Sequence, residues 1–210
     1  MGVHPQGRLI HVFDFSPHPP TAVEEPIHDL LVLEGVMPWS DLFIQGVEEI
    51  DCWDTIEQEG LNPGEYADWV GHTVVISGEL TDPAFEPYEQ IIKGVVGCCL
   101  QVYHDFNTYM MSFEDQGYRM HRFGPGHYLS EHCDQKRFPD VAHPHTVRKL
   151  TMAMYLNDNY EGGELYFPRR DFKLKPKAGS VAIYPSNFAW PHASLRVQSG
   201  LKYSIATWLY

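Results

Sequence analysis

His132 and Asp134, two residues apart in the stretch YLSEHCDQKR (residues 128–137), are a histidine and a carboxylate spaced to share a metal ion. If the stretch is a strand, positions i and i+2 project from one face, so the imidazole and the carboxylate point together while Cys133 points away. The pair alone is a weak signal, because a His-x-Asp triplet also arises by chance and then merely decorates an exposed strand. A third donor stands at His192, in FAWPHASLRV, 58 residues after Asp134 and at the start of another strand-like segment. Two histidines and one carboxylate can occupy one face of an octahedron and leave three positions open, the donor set of non-haem Fe(II) oxygenases.

The last segment, GLKYSIATWLY, sorts into two faces: Lys202, Ser204, Ala206 and Trp208 on one, and Leu201, Tyr203, Ile205, Thr207 and Leu209 on the other. The odd-numbered set is a packing face. On the even-numbered face a lysine followed by two small residues leaves a gap, and an ammonium buried in a gap needs an anion. A dicarboxylate that chelates the metal at one end and reaches Lys202 at the other would fill it. Tyr155, in MAMYLN, is spaced to offer its hydroxyl to the same carboxylate, with Ala153 and Thr151 beneath it on the same face. The plain alternatives are a surface lysine and a core tyrosine.

The elements that must hold these residues are short strands. After residue 116 the hydrophobic period is two, and eight segments follow between Gly and Pro signals: GYRMHRF, HYLSEHCD, RKLTMAMYLN, GELYF, FKLKP, SVAIYP, WPHASLRV and KYSIATWLY. Eight such strands suggest two packed sheets of four, a sandwich or barrel. Upstream, Asp82 is placed as an N-cap and Pro83 as a first helical residue. Phe85, Tyr88, Ile92, Val95, Cys99, Val102 and Phe106 then follow at three- and four-residue steps, an amphipathic helix whose stripe packs on an outer sheet face. The first eighty residues offer strand-like runs, LLVLEGV and TVVISGEL, amid Pro, Asp and Glu, and their arrangement is the least legible part of the chain. We expect one domain, with residues 1–115 an acidic extension plus supporting helix and residues 116–210 the strand core.

With 210 residues, 43% of them apolar, the chain can bury one substantial core. Cys52, Cys98, Cys99 and Cys133 show no disulfide framework, the N-terminus has no secretory signal, and no stretch approaches membrane-spanning length, so a soluble cytoplasmic protein is expected. The net charge of -13 is unevenly spread: residues 1–115 hold 21 acidic and two basic side chains, residues 116–210 seven and 13. The acidic total argues against a nucleic-acid partner, but the basic excess lies in the half that holds the chemistry and leaves that partner class open.

In order, YRMHRFGPGHYLSEHCDQ, KLTMAMYLNDNYEGGELYFP, LKPKAGSVAIYPS and WPHASLRVQSGLKYSIATWLY resemble the 2-oxoglutarate and Fe(II)-dependent dioxygenases, and within them the prolyl 4-hydroxylase type of small microbial, viral and phage proteins. The resemblance covers residues 117–210. It implies a double-stranded β-helix (jelly roll), mainly β with flanking helices. It also implies His132, Asp134 and His192 as Fe(II) ligands, and Lys202 with Tyr155 on the distal carboxylate of the cosubstrate 2-oxoglutarate. The implied reaction couples oxidative decarboxylation of 2-oxoglutarate by O2, giving succinate and CO2, to hydroxylation of a C–H bond, with ascorbate as reductant and no catalytic side chain beyond the metal ligands. Peptidyl proline in a protein or peptide is the substrate it favours. The same centre would serve a small molecule, another side chain or a nucleic acid, whereas a non-catalytic β-helix binding module would be expected to have lost a ligand or the lysine. Two positions depart from the pattern. Phe123 stands where a tyrosine is common, so that its hydroxyl either comes from elsewhere, with Tyr128 the candidate, or is missing, and Lys202 stands where many small microbial relatives carry arginine, offering a point charge in place of a fork. Arg169, Arg170 and Trp190 are placed to line the substrate entrance, with packing the favoured reading for Trp190. The insert at residues 135–147, with His143 and His145, reads as a loop able to close over the metal.

Overall fold

The computed structural model describes residues 14–59, 68–77, 81–107, 114–135 and 147–210. Strands β1 (Ala22–Ile27) and β2 (Leu30–Glu34) form a hairpin that turns through Asp29 in the left-handed region, φ 66°, where a short polar side chain is tolerated. Helix α1 (Ser40–Ile50) follows, burying Phe43, Gly46 and Val47. Strands β3 (Asp54–Gln58) and β4 (Trp69–Val75) lead to helix α2 (Glu86–Phe106). A 3-10 turn at Pro83–Phe85 starts that helical stretch, and the Asp82 side chain caps it by accepting from the Ala84 amide at 2.9 Å.

Strands β5 (Arg119–Phe123), β6 (Tyr128–His132), β7 (Leu150–Tyr155), β8 (Glu161–Gly162), β9 (Leu165–Phe167) and β10 (Phe172–Leu174) come next. Strands β11 (Ser180–Pro185), β12 (His192–Ser194), β13 (Val197–Ser199) and β14 (Lys202–Leu209) complete the chain. The eight segments expected after residue 116 are all strands. They do not separate into two sheets of four. One hydrogen-bonded path runs β1-β2-β11-β7-β14-β5-β4-β6-β12-β9-β10, with β3 on β4 and a separate β8–β13 pair, and every pairing is antiparallel. Strand β4 makes the join: it pairs with β5 through residues 72–75 and with β6 through Trp69 and Val70. The result is the mainly β, nearly closed fold with a long helix on its outer face.

Alternation sorts side chains to the two faces. Outward, Leu31 and Leu33 of β2, Met152 and Met154 of β7, Val181 and Ile183 of β11, and Tyr203 and Ile205 of β14 pack with Phe43, Tyr88, Ile92, Val95 and Cys99 of the helices. Each fully buried Leu, Ile or Met there contributes about 1.5–3 kcal/mol. Inward, Leu30, Val32, Tyr155, Phe167, Tyr184 and Trp190 form a smaller cluster. The α2 stripe holds through Val102, which packs half-buried on the core, and then departs from expectation: Tyr103 is buried, while Phe106, the last helical residue, is 54% exposed. Helix α1, absent from the sequence reading, closes against α2 where Tyr88 approaches Gly46. Among the described residues no helix is long and apolar enough to cross a membrane.

Candidate active site

Strands β6 and β12 pair with His132 directly opposite His192, which brings the two imidazole centroids to 4.5 Å. Asp134 is not in the strand as expected. Strand β6 ends at His132 and the chain bends, the Gln135 amide donating to the Ser186 carbonyl at 2.9 Å. That bend swings the carboxylate between the rings: His132 Nε2 lies 3.4 Å from Oδ1 and His192 Nε2 3.3 Å from Oδ2. One ligand atom from each of the three side chains lies within 4.8 Å of the others. Cys133 is half-buried, and burial raises its thiol pKa.

The donor set fits a metal. His132 Nδ1 lies 2.8 Å from the Ser130 carbonyl and His192 Nδ1 3.1 Å from the Trp190 carbonyl. A carbonyl only accepts, so both Nδ1 atoms carry protons when the rings are neutral, and both Nε2 lone pairs turn to the centre. Burial alone would raise the Asp134 pKa. The pull of His192 and the hydrogen bonds with both imidazoles outweigh it and hold the carboxyl well below the usual range. Burial likewise opposes, and the Asp134 hydrogen bond and charge overcome, so that the His132 pKa is raised. A carboxylate kept ionised in a closed site, facing two imidazoles, attracts a cation.

Behind the three donors stand residues the sequence reading gave no role at the metal. Thr151 Oγ1 donates to Asp134 Oδ2 at 2.6 Å and shares a 2.9 Å hydrogen bond with Ser186 Oγ. Arg148 Nη1 donates to the Asp134 carbonyl at 3.1 Å, with its guanidinium 3.8 Å above the Trp208 ring. Tyr184 meets the His192 ring edge-on at 4.9 Å, with Phe167 at 6.1 Å. The alternation of RKLTMAMY, which sets Thr151 on the Tyr155 face, was the available signal for Thr151.

Lys202 is 2% exposed, at the start of β14 and paired with Phe123 of β5. Its Nζ donates to the Gly163 carbonyl at 2.6 Å and Ser194 Oγ at 2.8 Å, both neutral, and lies 5.5 Å from the Tyr155 ring centroid. No carboxylate among the described residues pairs with it. Burial pulls its pKa down to about 7, assisted by Lys175 and opposed by Glu164. Tyr155 is buried on the same interior face, which raises its phenol pKa.

Two expected positions are placed otherwise. Tyr128 offers no substitute hydroxyl beside Lys202, because its Oη donates to Glu59 at 2.9 Å and the Arg196 guanidinium covers its ring at 3.9 Å. Trp190 is not at an entrance. It is 2% exposed, packed on Phe167 and Tyr184, with Arg170 held 3.5 Å over it through a hydrogen bond to the Ala189 carbonyl. Arg169 is exposed. Most of the expected lid, with His143 and His145, lies outside the described residues.

Residues 118–210 match the family described as the 2OG-Fe(II) oxygenase superfamily. A protein of Acanthamoeba polyphaga mimivirus named as a prolyl 4-hydroxylase is 35% identical over 100 residues, 41% of this chain and 41% of that protein. The chain thus spans about two-fifths of the length of that relative. The viral collagen prolyl hydroxylase of Paramecium bursaria Chlorella virus-1, solved with 2OG, superposes with a TM-score of 0.64 at 20% identity, covering 86% of this chain and 95% of that one. A prolyl hydroxylase of Trichoplax adhaerens, solved with a hypoxia inducible factor peptide, gives 0.63 at 16% identity, covering 89% and 85%.

Proposed function

Because residues 118–210 match the 2OG-Fe(II) oxygenase superfamily, we propose that this chain is an Fe(II)- and 2-oxoglutarate-dependent dioxygenase that hydroxylates peptidyl proline. The observation that carries the reading is a pair of complementary sites on one sheet interior: a closed His132–Asp134–His192 donor set and a buried ammonium at Lys202 with no carboxylate partner among the described residues. One recruits a cation, and the other needs an anion. A 2-oxo dicarboxylate answers both. The prolyl hydroxylase names of the mimivirus relative and of the structural neighbours, one of them holding a peptide, support proline in a peptide as the substrate.

His132, Asp134 and His192 hold Fe(II), while Lys202 and Tyr155 take the distal carboxylate of 2-oxoglutarate. Bound there, the iron, 2-oxoglutarate and O2 supply an oxidation in which one oxygen atom enters succinate as CO2 leaves and the other enters the substrate C–H bond. The chain's own residues position and shield. The Ser130 and Trp190 carbonyls fix the imidazole planes, Thr151 fixes the carboxylate, and Phe167 and Tyr184 keep water from the His192 side. No proton-transfer side chain is required, and ascorbate serves as the reductant that keeps the iron ferrous.

The test is a proline-rich peptide pool incubated with the protein, Fe(II), 2-oxoglutarate and ascorbate, read by mass spectrometry for the gain of one oxygen and by succinate release. His132→Ala is expected to abolish both. Unchanged turnover in that variant would remove the metal assignment, and oxygen found on a free metabolite or a nucleobase would overturn the proline assignment.

A further inference from the structure

One cross-strand row on the sheet interior is polar. Ser204 of β14 stands directly opposite Tyr155 of β7 on one side and His121 of β5 on the other, so the three side chains project together. Lys202 lies on the same face, two residues along β14. Tyr155, Ser204 and His121 are 3%, 8% and 8% exposed. Among the atoms of this row, His121 Nδ1 is buried without a hydrogen-bond partner among the described residues, although buried polar groups normally find one.

His121 is held as a fixed plane. It stacks on Phe123 at 5.7 Å and 14° and meets Trp69 edge-on at 5.2 Å. Gly71 leaves room for the stack, since a Cβ there would come within 2.6 Å of Phe123 Cε1. Its Nδ1 is sealed and unpartnered. An unpaired acceptor is better tolerated than an unpaired N–H, so the proton belongs on Nε2. Burial, with Arg119 and Lys202 nearby, pulls the ring pKa down to about 3, and the imidazole stays a neutral donor.

We propose that His121 and Ser204, continuing the row from Tyr155, are cosubstrate-binding residues that hydrogen-bond the oxygens of the bound 2-oxo acid along its length. This inference rests on the dioxygenase reading. It gives a partner to the His121 Nε2 donor and the Ser204 hydroxyl, and it makes the wall a hydrogen-bonding surface beside the single charge of Lys202.

The experiment is calorimetric titration of 2-oxoglutarate into the full chain loaded with Mn(II), with the Mn(II) affinity and melting temperature measured alongside. His121→Phe, which keeps a stacked ring, is expected to weaken 2-oxoglutarate binding about tenfold or more, since hydrogen bonds to charged groups are the stronger ones. His121→Gln, which keeps a donor at a similar reach, is expected to recover most of that loss. Ser204→Ala is expected to weaken binding about fivefold. Mn(II) affinity and melting temperature should hold in all three. Wild-type affinity in His121→Phe, or equal losses in His121→Phe and His121→Gln, would overturn the role of His121. An unchanged Ser204→Ala would do the same for the row, even if a His121 variant fails to fold. A wild-type protein that binds Mn(II) but not 2-oxoglutarate would overturn the dioxygenase reading itself and this inference with it.

Discussion

Lys202 is where residue-level electrostatics makes a measurable demand. Its pKa, lowered to about 7 by burial from 10.5, lies below that of the unfolded chain. Between those values the unfolded chain binds more protons, so the unliganded protein gains stability as pH rises through that window and has the full penalty below about pH 7. A bound carboxylate reverses the preference by favouring the ammonium. Binding of 2-oxoglutarate should therefore take up a proton above about pH 7 and weaken as pH climbs toward about 9. Titrations in buffers of differing ionisation heat read both effects, and pH-independent binding without proton uptake would detach Lys202 from the anion. Thr151 makes a second demand. Thr151→Val keeps the shape but deletes the 2.6 Å hydrogen bond to Asp134, and metal affinity is expected to fall about tenfold. A Mn(II) titration followed by electron paramagnetic resonance checks it, and an unchanged affinity would make the contact incidental.

At the scale of elements, one joint between the helices is Gly46 of α1 against Tyr88 of α2. A Cβ at Gly46 would collide with the tyrosine hydroxyl and come within 3.0 Å of its Cζ. Gly46→Ala is expected to cost about 1–3 kcal/mol in urea unfolding, with 2-oxoglutarate affinity unchanged, because the joint lies across the sheet from the site. A loss of binding without a loss of stability would contradict that separation. The same joint shows why α1 escaped the sequence: only 11 residues long, it has a glycine in its buried stripe and no side-chain cap to announce its start. Strand β14 is the opposite case. Lysine, serine and alanine alternate there with Tyr203, Ile205 and Thr207, and both faces were legible because both are buried against different neighbours. His132, Asp134 and His192 were legible as chemistry. The bend that places Asp134 was not, since it depends on Ser186, which lies 51 positions beyond Gln135 in sequence and beside it only in the fold.

For the whole molecule, the division of labour between the two sheet faces decides what the metal does. The larger apolar cluster, with both helices and strands β2, β7, β11 and β14, lies on the outer face. The triad and Lys202 lie on the inner face, with a smaller cluster beside them. Folding energy and ligand chemistry are thus separated, and the metal ties only β6, the bend after it and β12. A chelator is expected to leave the far-ultraviolet circular dichroism and a cooperative melting transition in place. Saturating Mn(II) at a hundredfold excess over its dissociation constant adds about 2.7 kcal/mol by mass action. For a chain of this size that corresponds to an increase of about 5–10 °C in Tm. An apo chain with no cooperative transition would show that the site is part of the folding core, and a transition insensitive to Mn(II) would show that the three donors do not bind it.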